Sequence, residues 1–226
     1  MTTPAATLPK HLDRLERLYG PIRRQPPRTA LEWILWENAA YLLPDEKRLR
    51  QYRELARRTG LTAEGIEALP PGELLEWARS GGMQPGARVE KLLAIAALVR
   101  ERFDGDLEAT LDGPLPKARA ALKRFPGIGA PGADKILLFT GRHALVALES
   151  NGVRVLLRLG YAREGKGYSA TYRALQEALA PPAGRGVDFL RRAHELLRRH
   201  GQELCKNSAP RCESCPLADR CPAAGR

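Results

Sequence analysis

Four cysteines, Cys205, Cys212, Cys215 and Cys221, constrain this 226-residue chain more than any other feature, because they are all the cysteines it has and they fall in one short stretch spaced C-x6-C-x2-C-x5-C. A stretch with so little apolar side chain cannot build a core of its own, so it needs a staple. The opening residues, MTTPAATLPKHLDRL, hold no uninterrupted apolar run of the kind a signal peptide needs, and no stretch approaches a membrane span. A cytoplasmic location is therefore expected. In that compartment thiols stay reduced, and bunched cysteines point to metal ligation over disulfides. Four thiolates satisfy a tetrahedral zinc or the four irons of a cubane cluster, and the spacing alone leaves both open.

Apolar residues recur at helical spacing almost throughout, as in Leu92, Leu93, Ile95, Ala96, Leu98 and Val99, while strand-like alternation is scarce. Breakers such as Pro70-Pro71, Gly81-Gly82 and Gly113-Pro114 cut the pattern into ordinary helix lengths, predicting an all-α chain of eight to ten helices. Asp45, Thr62 and Asp112 read as helix starts or turn formers, and Gly201 as a C-terminal cap after a helix over 187–200. The helix over 28–43 carries Trp33 and Trp36, at least one of which belongs in a core. The segment from Gly81 to Arg88 is a glycine-rich entry to a helix without the spacing of a nucleotide-binding loop.

Charge is a supporting argument only. Lys and Arg outnumber Asp and Glu by 37 to 26, a net +11 spread along the chain, which favours a polyanionic partner but also suits a merely soluble surface. A sharper signal is Phe125-Pro126-Gly127-Ile128-Gly129-Ala130-Pro131-Gly132, where one helix ends and another begins across a Pro-Gly-x-Gly turn. Glycines there allow positive φ, and the amides of Gly127, Gly129 and Ala130 can face an anion such as a DNA phosphate.

Taken with the segment Leu148-Glu149-Ser150-Asn151-Gly152-Val153-Arg154-Val155 and the cysteine spacing after His200-Gly201, this turn resembles the helix-hairpin-helix of the endonuclease III superfamily of base-excision DNA glycosylases. The resemblance runs from about residue 29 to residue 221. It implies a two-lobe fold, with an N-terminal segment over 1–28, a six-helix barrel including the hairpin over 29–143, and a cluster domain over 144–226. It also implies a [4Fe-4S] cluster in place of zinc on the four cysteines, and a monomer acting on double-stranded DNA, at the nucleoid in a bacterium. Lys206 and Arg211, with Arg220, would stand around the cluster loop and meet phosphates. The damaged base would be turned out of the duplex, because its glycosidic bond is unreachable while stacked.

The resemblance also implies roles for single residues. Bifunctional members carry a lysine nucleophile where this sequence has Pro131, and proline has no amine to form a Schiff base. Lys135 lies one helical turn further on, a poor substitute in reach and angle. Glu149 stands at the position of the family's catalytic aspartate, so the implied chemistry is monofunctional hydrolysis with Glu149 as general base, alongside the bland reading of a helix cap or an ion pair with Arg154. Tyr41 would fill the gap left by the base, and Ser150 and Asn151 would line the pocket. The alternative is the same fold with its chemistry lost, a non-catalytic iron-sulfur protein recognising damaged or bent DNA.

Overall fold

The computed structural model describes residues 4–22, 27–40, 43–180 and 186–224, and among them every regular element is helical. The chain divides into two units, one of residues 1–24 with 143–226 and the other of residues 25–142. No helix is long and apolar enough to cross a membrane among the described residues.

The unit of residues 25–142 holds α2 (Ala30–Ala39), α3 (Asp45–Thr59), α4 (Ala63–Ala68), α5 (Pro71–Ser80), α6 (Pro85–Phe103), α7 (Leu107–Leu111), α8 (Leu115–Leu122) and α9 (Ala130–Phe139). Side-chain oxygens of Thr29, Thr62 and Asp106 accept the orphan amides at the starts of α2, α4 and α7. Proline opens α5, α6, α8 and α9, where its missing N–H costs nothing. Asp45 opens α3, though without a side-chain cap, Thr62 caps α4, and Asp112 stands in the turn that closes α7. Long α6 packs against α2, α4 and α5 over a core that includes Ile34, Leu55, Leu74, Trp77 and Ile95. Burying each such side chain contributes about 1.5–3 kcal/mol. Trp77 also donates from its indole nitrogen to the Gln51 carbonyl at 3.0 Å, so its one polar atom is satisfied. Trp33 is buried and tilted against Phe139, while Trp36 lies edge-on to Tyr52 beneath Arg48.

The other unit is formed by α1 (Pro4–Tyr19), α10 (Ser150–Arg158), α11 (Tyr168–Ala178) and α12 (Val187–Glu203). Arg192 of α12 holds α1 through Asp13 and Glu16, each at 2.7 Å. Helix α10 packs closely on α12, and Gly201 explains how. A side chain at Gly201 would stand 2.6 Å from Asn151 Cβ and 2.8 Å from its carbonyl oxygen. Gly201 thus lies inside α12, which runs on to Glu203, and serves close helix approach instead of the expected cap.

Candidate functional site

The hairpin between α8 and α9 is built by alternating anchors and exposed backbone. Phe125 and Ile128 are buried, and Phe125 stacks on Phe103 at 5.6 Å, while Gly127, Gly129 and Ala130 face solvent. Gly127 has φ of +74°, the left-handed region that favours glycine. Asn38 locks the turn from α2: its Nδ2 donates to the carbonyls of Ile34 at 2.9 Å and Pro126 at 3.0 Å, and its Oδ1 would stand 3.1 Å from a Cβ at Gly127. The N-cap of α9 is Gly129, with no side-chain cap. The free N–H groups of this turn therefore point at whatever anion arrives. Pro131 sits in the first turn of α9, and the Lys135 ammonium is ion-paired with Glu37 and lies 5.4 Å from the Trp33 ring centroid. Arg119 and buried Asp134 tie α8 to α9 at 2.5 Å.

Glu149 is the N-cap of α10. Its Oε1 accepts from the amides of Asn151 at 3.0 Å and Gly152 at 3.2 Å, and its Oε2 accepts from Asn151 Nδ2 at 3.0 Å. A carboxylate offers about four acceptor directions, so Oε2 retains one. The buried run from Leu145 to Leu148 leads into this cap, and Ser150 just after it is exposed. Arg154 does not pair with Glu149. Its guanidinium donates to Asn151 Oδ1 at 2.7 Å and to the carbonyls of Gly201 at 2.8 Å and Cys205 at 2.9 Å. The Asn151 amide is thus spent between Glu149 and Arg154.

Arg158, one turn further along α10, donates to Cys205 Sγ at 3.3 Å, to the Lys206 carbonyl at 2.7 Å and to the Asn207 carbonyl at 3.0 Å. Cys205, Cys212, Cys215 and Cys221 line one cavity of about 270 Å³ with His200, Arg158, Arg211 and Leu217 on its walls. The Leu217 amide donates to Cys215 Sγ at 3.4 Å. Burial pushes the His200 imidazole down to about 4, so it is neutral; Tyr19 holds its Nδ1 at 2.9 Å, which turns Nε2 toward Cys215 Sγ at 3.4 Å. Among the described residues no three His, Cys, Asp or Glu side chains converge tightly enough to share one ion. The four sulfurs line one cavity, and the Arg158 guanidinium and the Leu217 amide donate to two of them, a donor set that fits an anionic metal–thiolate group.

Lys206 and Arg211 make no ion pair among the described residues, whereas Arg220 pairs with Asp219 at 3.4 Å. Tyr41 lies outside the described residues. Two exposed residues escaped the sequence reading. Met83, 69% exposed, is carried on a loop that buried Arg88 pins through the carbonyls of Ala78 at 2.6 Å and Met83 at 2.8 Å. Tyr168, 45% exposed, opens α11 and stacks on Tyr172. Neither breaks the helical period, so pattern alone gives no sign of them.

No family model matches the chain. Its architecture is that of a helix-hairpin-helix glycosylase: a trapped endonuclease III–DNA covalent intermediate superposes with a TM-score of 0.77 at 19% identity, covering 99% of this chain and 98% of that one. Among sequence relatives, endonuclease III of Sulfolobus acidocaldarius is 25% identical over 194 residues, 85% of this chain and 80% of the relative. Endonuclease III of Escherichia coli K12 is 32% identical over 135 residues, 60% of this chain and 57% of the relative. In sequence and in fold the chain is thus similar to endonuclease III proteins.

Proposed function

We propose that the chain is a base-excision DNA glycosylase that hydrolyses the N-glycosidic bond of a base turned out of duplex DNA, without a lyase step. The observation that carries this reading is Glu149, fixed by three donors at the start of α10 with one direction of Oε2 left over. Such a carboxylate can accept a proton from water attacking the anomeric carbon, and its charge favours the oxocarbenium character that develops as the base leaves. Asn151 then acts by orienting Glu149 and Ser150 by bordering it. The hairpin amides of Gly127, Gly129 and Ala130 hold a phosphate, and Met83, on its pinned loop, has the character of an apolar wedge that enters the stack when a base leaves it. The absence of a lyase step follows from Pro131, which has no amine, and from Lys135, whose amine is engaged by Glu37 and Trp33.

The four cysteines hold a [4Fe-4S] cluster in this reading, and its chemistry there is to cross-link a loop that cannot fold alone. Lys206 and Arg211 flank it as phosphate contacts. A second reading, a DNA-binding protein with no chemistry, is favoured by one observation: every donor around Glu149 is internal to α10, which is what a purely structural cap requires.

The deciding experiment is a single-turnover assay on duplexes bearing a panel of damaged and mispaired bases, with alkaline cleavage of the resulting abasic sites and borohydride trapping in parallel. Base release without a trapped adduct is expected. A trapped adduct overturns the monofunctional assignment, and tight binding without release on any duplex favours the second reading.

A further inference from the structure

An exposed aromatic residue on a mobile loop says little, since single exposed apolar side chains are ordinary. Tyr168 is differently placed. Gly167, with φ of +84°, turns the chain into α11 directly before it, and the Gly165 amide donates to Thr171 Oγ1 at 2.9 Å, folding the preceding loop back on the helix. That loop fits Ala170 so closely that a Cβ at Gly165 would stand 2.9 Å from it. One turn along α11, Tyr172 is buried and stacks beneath Tyr168 with ring centroids 6.1 Å apart and planes 20° from parallel. Gln176, a further turn on, donates to the Val146 carbonyl at 2.8 Å, anchoring α11 to the strand of chain that runs straight into Glu149. Burial first, and then the Glu149 charge, raises the Tyr168 phenol above its ordinary value, so the carboxylate lies within electrostatic reach of the ring. Among the described residues the outer face of the ring and its hydroxyl have no protein partner, and Arg163 and Lys166, just before it in the chain, are exposed and make no ion pair.

We propose that Tyr168 is the stacking face for a nucleobase turned out of the duplex, presented on the same unit as Glu149 and backed by Tyr172. A ring already held from one side loses little additional freedom when a base stacks on the other, and aromatic stacking contributes about 1–3 kcal/mol per base. The ring surface recognises the π-face of any base, so Tyr168 positions the nucleotide beside Glu149 and leaves base identity to other contacts. Arg163 and Lys166 supply charge for the neighbouring phosphates. The inference rests on the glycosylase reading for its substrate.

The test is photo-crosslinking of the full protein to a duplex with a single 5-iodouracil opposite guanine, a mispair that unstacks at low cost, followed by peptide mapping. The crosslink is expected at Tyr168. Tyr168→Ala should lower its yield about tenfold, the loss of one stacking contact, and Tyr168→Phe, which keeps the ring, should restore it. A crosslink mapping elsewhere, or one undiminished in Tyr168→Ala, overturns the inference. Crosslinking at Tyr168 without base release on any duplex of the panel supports the inference and removes the glycosylase reading, while base release without that crosslink does the reverse.

Discussion

At the N-terminus of α9 the capping position is Gly129, which has no side chain to offer, and at the N-terminus of α10 it is Glu149, whose carboxylate takes two backbone amides and one side-chain amide. Every helix leaves its first amides without intrahelical partners, and the two helices resolve this in opposite ways. In α9 buried Phe125 and Ile128 hold the turn while the donors stay open, so the helix start attracts an outside anion. In α10 the Asn151 and Gly152 amides are already used, and what the cap leaves open is an acceptor. The same backbone physics thus leaves open donors at one helix start and an open acceptor at the other, which are the ends proposed to bind a phosphate and to accept a proton.

The largest expected break in this comparison comes from the cysteine loop, because Arg154 and Arg158 tie α10 to it. Cys212→Ser should cost more than about 4 kcal/mol of unit stability, the range reached when a structural metal group is lost. Hydrogen exchange should then show α10 and the loop losing protection while α9 keeps it; uniform loss across both would break the proposed coupling. Next in size is Gly129→Asp, which gives α9 the kind of cap α10 has. The backbone at Gly129 is extended, with ψ of −174°, and a Cβ there meets nothing closer than 3.8 Å, so aspartate fits. Stability should rise by about a few tenths of a kcal/mol, and duplex affinity should fall at least about tenfold, since like charges brought together at an interface cost several kcal/mol. Unchanged affinity would remove the hairpin from the binding surface.

Smaller effects follow. Lys206→Ala and Arg211→Ala should each flatten the dependence of log affinity on log salt by about 1 while leaving base release from the bound complex intact. The least effect is expected at His11, whose imidazole burial, and then Arg14, push below its ordinary value. The unfolded chain binds the extra proton first, so stability is fully present above pH of about 6.5 and is lost as pH falls below it. Urea midpoints at neutral and mildly acid pH should converge in His11→Gln; equal acid sensitivity would assign the loss to other groups.

What the sequence made legible was local chemistry. The Pro-Gly-x-Gly turn, the cysteine spacing and the capping alternative for Glu149 depend on residues within a few positions of one another, so a linear reading reaches them. Gly201 reads as a cap because its reason, Asn151, lies on another helix, and of the two bland alternatives for Glu149 the cap holds while the ion pair with Arg154 does not, since Arg154 is held by carbonyls about fifty residues away. The short helices α4 and α7 fall below the length at which periodicity shows, which brings the described count to twelve against the eight to ten expected. Tyr168 and Met83 were missed because exposure is decided by tertiary packing and leaves no mark on spacing.

The central claim is that α9 binds and α10 reacts, and it is tested most directly by Glu149→Gln, measured for both duplex affinity and single-turnover base release. The account predicts affinity close to wild type with release slowed by about 100- to 10,000-fold, the range general-base catalysis supplies. Release at the wild-type rate, or affinity and release falling together by the same factor, would contradict it.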